Sequence, residues 1–300
     1  MSVPAGFASL AGMLVITDER CTGYQSPGHP ERPERISRTL ERLRAQTDLK
    51  LGWAAPAKVD PGALLRAHTV DHVRRVTEAV EDFDGDTPAH RGIVDHALRG
   101  VGGALAGLAA ARRGEVSFSL LRPPGHHATR SRAMGFCYFG SMAIAVLEAL
   151  DTGAKRVGVF DFDVHHGNGT EAILAGHKGA YFASVHQHPC YPGTGATDVA
   201  DNCFNYPVTP EFPRAEYRKT LSRALERLAS QKLDLLGVSA GFDAYARDPI
   251  AHETLEAEDF HWLGKEVRRL GIPAFSMLEG GYSNDLPELV LAYLSGLAGR

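Results

Sequence analysis

The chain has 300 residues, 44% of them hydrophobic, and a formal net charge of −4 at pH 7. That apolar content suffices for one large core, and so small a charge gives no general reason to expect a nucleic-acid or anionic-membrane partner. Cys21, Cys137, Cys190 and Cys203 are widely spaced without CxxC or CxxH, which excludes a disulfide scaffold or cysteine zinc knuckle and suits a reducing compartment. The N-terminus shows no basic region followed by a long apolar run, and no stretch reaches membrane-span length, so a cytoplasmic protein is expected.

A strand is predicted over 12–17 (GMLVIT), followed by a loop rich in Gly, Pro and charge, CTGYQSPGHPERPERI. A helix can start only after Pro33, and Ile36, Leu40 and Leu43 then recur on one face. Short helices are expected over 60–67 and 70–80, and a turn-rich segment over 82–88 (DFDGDTP). A buried helix is expected over 93–112, which is rich in Ala, Gly and Leu with little charge. Strands over 116–121, 157–162, 180–185, 204–208, 233–239 and 273–278 then alternate with helices over 141–150, 169–175, 214–230, 256–270 and 286–297. The alternation predicts an α/β fold, a mostly parallel central sheet covered by helices on both faces. No repeat, linker or composition break divides it, so one domain is expected over 1–300. Ligand sites in such sheets lie beyond the carboxyl ends of the strands. Polar runs follow five of them: RPPGHHA, DVHHGNG, HQH, AGFDAYARDP and EGGYS.

The densest run is VGVFDFDVHHGNGT. If the strand continues through it, Asp161, Asp163 and His165 share one face and His166 takes the other. A buried cluster of that kind requires a metal ion or an organised hydrogen-bond network. Gly167 and Gly169 allow a tight turn, and Thr170 is placed to cap a helix beginning at Glu171. With Asp243, which alone would be read as a turn or cap residue, Asp163 and His165 make a two-carboxylate, one-imidazole metal set. Three protein ligands leave positions open for water and substrate. The nitrogen/oxygen donors suit Zn²⁺, and equally Fe²⁺ or Co²⁺.

His126 and His127 follow a Pro-Pro-Gly turn. Beside an activated water they can act as general base, general acid and electrostatic support, with Asp161 and Asn168 as the natural partners of the two rings; in isolation they would be surface loop histidines. Tyr282 follows Gly280–Gly281 on a flexible loop, where its hydroxyl can polarise a substrate carbonyl. Phe136 (GFCYF) and Tyr191 (CYPGTG) suit the walls of a slot, with ordinary packing as the competing explanation. GNGT lacks the lysine of a phosphate loop.

RPPGHHA, GFCYF, DFDVHHGNGT, YPGTG, SAGFDAYARDP and LEGGY, with HPERPERI upstream, resemble the zinc-dependent histone deacetylase superfamily. That superfamily includes acetylpolyamine amidohydrolases and bacterial histone-deacetylase-like amidohydrolases. The motifs run in order from His29 to Tyr282, and HPERPER resembles the class II and bacterial branches more than class I. The resemblance implies an arginase/deacetylase α/β fold with its active site at the C-terminal ends of the strands. It implies Zn²⁺ held by Asp163, His165 and Asp243, with K⁺ behind it at Asp161, Asp163, His165, Ser184 and Val185. By the same matching His127 is general base and acid, His126 is mainly electrostatic, Asp161 and Asn168 support the two rings, and Tyr282 polarises the carbonyl. Gly135, Phe136, Tyr191 and Gly280 line the substrate tunnel, and Asp86 is a rim carboxylate that anchors substrate backbone.

The implied activity is hydrolysis of an N-acyl amine, most simply an acetyl-lysine side chain, with acetylpolyamines or other small acylamines as alternative substrates. A non-catalytic acyl-lysine binding protein and a binuclear manganese ureohydrolase are less favoured. Two departures stand out. Gly140–Ser141 occupy positions where the family often has Asn-Asn or Asn-Ser. Ile250 follows Asp248–Pro249 where some polyamine-specific relatives place a glutamate, which weakens the polyamine reading.

Overall fold

A computed structural model describes residues 12–300. The start of the expected single domain, and the absence of a leader read there, lie outside the described residues. Eight strands form one sheet: β1 (Met13–Ile16), β2 (Leu51–Ala54), β3 (Ser117–Ser119), β4 (Val157–Asp161), β5 (Ala180–Gln187), β6 (Cys203–Val208), β7 (Leu235–Ala240) and β8 (Ala274–Leu278). Their order is β2-β1-β3-β8-β7-β4-β5-β6, and every neighbouring pair is parallel.

β4 shows why the central strands read as unbroken apolar runs. Val157 and Val159 belong to the core on one face, and Phe160 to the core on the other. The first core is built with α4 (Ile93–Arg112) and α5 (Ser141–Asp151). The second is built with α1 (Glu34–Ala45), α7 (Arg214–Ala229), α8 (Ala257–Arg269) and α9 (Leu286–Leu297).

Two elements depart from expectation. β2 was not predicted: LGWA is a four-residue edge strand, only partly buried, and too short to show a period-2 pattern. The helix expected over 60–67 shortens to α2 (Pro61–Leu64), where the Asp60 side chain accepts the Gly62 N–H. The helix expected over 70–80 is α3 (Val70–Glu78). No helix among the described residues is long and apolar enough to cross a membrane. Because all eight strands run the same way, the loops after β3, β4, β5, β7 and β8 open on one edge of the sheet.

Candidate metal-centred active site

β4 ends at Asp161, so the common face expected of Asp161, Asp163 and His165 is not strand geometry. The chain curls instead. Asp161 Oδ1 accepts the Asp163 N–H at 3.1 Å, and Asp163 Oδ1 accepts the His165 N–H at 2.9 Å, the habit of Asp side chains in turns. The curl brings His165 Nδ1 to 3.2 Å from Asp163 Oδ1 and 3.1 Å from Asp243 Oδ2. The three groups are buried, with one ligand atom from each mutually within 4.8 Å. Their other oxygens are engaged, Asp163 Oδ2 by the Gly280 N–H at 2.7 Å and Asp243 Oδ1 by the Val164 N–H at 2.8 Å. One oxygen of each acid and one imidazole nitrogen therefore converge, a donor set that fits a divalent transition metal such as zinc. Burial and the adjacent Asp163 push the Asp243 carboxyl up to about 7; a cation between the acids relieves that repulsion.

Ser184 stands opposite Asp161 in the β4–β5 register, with Val185 beside it, both buried. His186 Nε2 faces the Gly195 carbonyl at 3.0 Å, so that nitrogen carries the proton and Nδ1, 2.9 Å from Ser184 Oγ, accepts from the hydroxyl. The lone pairs of Ser184 are left for an electropositive partner, as a monovalent cation would be.

His126 Nδ1 lies 3.1 Å from Asp161 Oδ2, and His127 Nδ1 lies 2.8 Å from Asn168 Oδ1. An amide oxygen only accepts, so His127 holds its proton on Nδ1 and presents a bare Nε2. The two ring centroids are 4.0 Å apart. Burial opposes charge on His126, but Asp163 and Asp161 outweigh it and push the ring up to about 10. Burial, then the positive charge of His126, hold His127 well below the ordinary range. Helix α6 (Asn168–Leu174) begins one residue before the expected range and three before Glu171, and Thr170, inside it, does not cap it: its hydroxyl is buried without a hydrogen-bond partner among the described residues. The N–H of Asn168 donates to the His166 carbonyl at 2.8 Å and the next two, of Gly169 and Thr170, to the His126 carbonyl at 3.0 Å, so the tandem-histidine loop helps cap the helix. Gly167 serves close approach, since a Cβ there would lie 2.1 Å from Asp161 Oδ2.

Tyr282 is buried and held. Its N–H donates to Asp248 Oδ2 at 2.7 Å, the Arg35 guanidinium carbon lies 4.7 Å from its ring centroid, and the Phe136 ring stands nearly perpendicular at 5.7 Å. Phe136 takes a left-handed backbone, φ 69°, with its N–H on Thr87 Oγ1 at 3.1 Å. Tyr191 is 37% exposed and meets the His127 ring edge-on at 5.2 Å, with Gly135 against that same ring. The two aromatic residues thus bracket the space between Tyr282 and His127. Asp86 is exposed, and its carbonyl faces His29 Nε2 at 3.1 Å beside the turn that holds Phe136.

Both departures have visible partners. The Gly140 N–H, at the start of α5, donates to the buried His68 Nε2 at 2.9 Å. Burial, then His72, push His68 down to about 3, so it is neutral and can accept. The Ile250 N–H donates to Asp248 Oδ1 at 3.1 Å, the carboxylate whose other oxygen holds Tyr282.

Glu31, Arg35, Arg122 and Glu279 are buried supports that the sequence analysis did not single out. Arg122 grips Glu31 bidentately, at 2.7 and 2.6 Å, and stacks 3.6 Å from the Tyr24 ring centroid. Arg35 donates to Glu31 at 3.3 Å, to the Gly281 carbonyl at 2.7 Å and to the Glu279 carbonyl. Burial alone would raise Glu31, but Arg122 and Arg35 hold it at about 2. Its folded pKa lies below the ordinary 4.5, so its stabilisation is complete above that pH and fades as pH falls toward 2. Glu31→Gln should therefore lower stability by about 3 kcal/mol at neutral pH and flatten the acid limb. Urea unfolding between pH 2 and 7 measures it, and an unchanged acid limb would contradict the assignment.

Glu279 lies close enough to His126 and Cys137 to form a second metal-like group, but both its oxygens already accept hydrogen bonds. Oε2 takes the N–H of Gly125 at 2.7 Å and of His126 at 3.2 Å, and Oε1 takes the Ser239 hydroxyl at 3.1 Å.

Residues 29–297 match the histone deacetylase domain model. The chain is 36% identical over 304 residues to the histone deacetylase-like amidohydrolase of Pseudomonas aeruginosa, covering 91% of this chain and 77% of that one. It is 33% identical over 227 residues to the acetylpolyamine amidohydrolase of Mycoplana ramosa, covering 71% of this chain and 66% of that one. Its fold matches the crystal structure of the HDA15 HD domain with a TM-score of 0.90 at 29% identity, covering 96% of this chain and 91% of that one. Sequence and fold agree over nearly the whole length, so the chain belongs to the histone deacetylase domain family of deacetylases and amidohydrolases.

Proposed function

We propose that the protein is a zinc-dependent deacetylase that hydrolyses an N-acetyl amine, most simply an acetylated lysine side chain. The observation that carries this is a bare His127 Nε2, its other nitrogen fixed by Asn168, on a ring whose centroid lies 6.1 Å from that of His165 in the Asp163–His165–Asp243 cage. Zinc bound in that cage supplies Lewis acidity to a water and to the substrate carbonyl. His127 takes the proton of the attacking water at Nε2, and an imidazole returns it to the departing amine. The Tyr282 hydroxyl donates to the oxygen on which negative charge develops. Phe136 and Tyr191 hold the aliphatic chain of the substrate, Gly135 leaves room for it beside the His127 ring, Gly280 leaves room for the acids that bind the metal next to it, and Asp86 accepts from substrate backbone at the rim. Potassium at Asp161, Asp163, His165, Ser184 and Val185 would steady the curl that aims the metal ligands. Free, scattered cysteines suit a cytoplasmic setting.

Acetylpolyamine hydrolysis by the same groups is the second reading, favoured by the likeness to the Mycoplana ramosa enzyme. Acetate release by zinc-reconstituted protein from an acetyl-lysine peptide and from acetylspermidine, in parallel, separates the two. Peptide turnover abolished by a chelator is expected. Preference for acetylspermidine would shift the assignment to the second reading, and no release from either would remove both.

A further inference from the structure

Buried backbone N–H groups must find acceptors. The loop that carries the tandem histidines leaves β3 and enters the site with the N–H groups of Gly125 and His126 aimed away from any strand, and both end on Glu279 Oε2. The other oxygen, Oε1, takes the hydroxyl of Ser239 on β7. His126 is thereby held at its N–H by Glu279, at its carbonyl by the first turn of α6 and at its ring by Asp161.

The backbone around Glu279 is tied just as closely. Its own N–H donates to the Ala240 carbonyl at 2.9 Å. One residue on, the Gly280 N–H holds Asp163 of the cage, and two residues further the Tyr282 N–H is held by Asp248. Arg35 takes the carbonyls of Glu279 and Gly281. Within residues 279–282 the Glu279 side chain is the group that reaches the histidine loop.

We infer that Glu279 is a positioning residue: its carboxylate fixes the tandem-histidine loop to the segment that carries Tyr282, and so sets the placement of His127 against Tyr282 across the cage. It touches no reacting atom, and with both oxygens occupied by fixed donors it does not exchange protons with substrate. Its kinetic consequence rests on the deacetylase reading, whereas the anchor itself does not.

Three variants test this in the zinc-loaded protein. In Glu279→Gln the amide oxygen can take both N–H groups while the NH₂ donates to Ser239 Oγ in place of the bond it received, so both backbone bonds survive. Glu279→Asp keeps the charge but falls short by one methylene, and Glu279→Ala removes the acceptor. The Asp and Ala variants should lose about 10²-fold in kcat, the scale of a misplacement near 1 Å, with KM within about threefold and zinc content at the wild-type level, while Gln recovers most of kcat. Hydrogen exchange at the amides of Gly125 and His126 should be protected in wild type and Gln, and fast in Asp and Ala. Wild-type kcat in Asp and Ala would overturn the inference, as would a Gln variant as slow as Asp, which would make charge rather than reach the cause. If wild type releases no acetate the deacetylase reading fails, and exchange at 125 and 126 still decides the anchor. If Ala does not fold, the comparison of Gln with Asp decides.

Discussion

His127→Ala should lower kcat by about 10³- to 10⁴-fold with zinc content and fold unchanged, and Tyr282→Phe by about 10²- to 10³-fold. The histidine variant removes the nitrogen that Asn168 leaves bare, and the neighbouring His126 cannot take its place, because that ring is turned onto Asp161 and held cationic. The tyrosine variant removes only a hydroxyl: the ring keeps its contacts with Arg35 and Phe136, and the backbone keeps Asp248. Steady-state acetate release with metal analysis of each variant is the measurement. Wild-type-like turnover in either one would strip that residue of its role.

Gly280→Ala should have the other large effect. A Cβ there would lie 2.1 Å from Asp243 Oδ2 and 2.5 Å from Asp163 Oδ2, so the two acids must move apart or the loop must retreat. Retreat breaks the N–H bond to Asp163 and drags Tyr282 with it. Zinc affinity should fall by about 10²-fold or more, the scale seen when a ligand loses its support, and stability by about 1–3 kcal/mol, the scale of overpacking. Competition against a zinc chelator and thermal unfolding measure the two. A variant that binds zinc and turns over as wild type does would place the metal elsewhere.

The location of the site was legible because apolar strands stop and acids and imidazoles follow at once: Asp161 closes β4, Asp243 follows β7, and the histidine pair follows β3 after Pro-Pro-Gly. A parallel sheet gathers those ends without any knowledge of side-chain contacts. Local geometry was less legible. Asp163 and His165 group with Asp161 through backbone bonds two residues apart, which a period-2 pattern imitates but does not cause. Gly280 reads as freedom in a sequence, whereas in the fold it is room for two carboxylates.

The buried supports were hidden for a different reason. A run such as PERPER looks like solvated surface, and the partners that bury Glu31 and Arg35 lie 91 and 246 residues away. A signal did exist. Arg122 and Glu279 are charges set at the ends of apolar strands, as Asp161 is, and the argument applied to Asp161 extends to them. The charge of Arg122 is used to hold Glu31, and that of Glu279 to hold backbone.

The hold of Arg35 on the Glu279 and Gly281 carbonyls, 244 and 246 residues downstream, orders events in time. Around it Arg32 and Arg38 reach Asn284 at 2.8 and 3.0 Å, and Arg42 reaches Glu288 at 2.5 Å. Translation delivers the histidines and aspartates long before the segment that locks them. A nascent chain therefore carries its acids and imidazoles before residues 279–288, which tie α1 to the site, have been made.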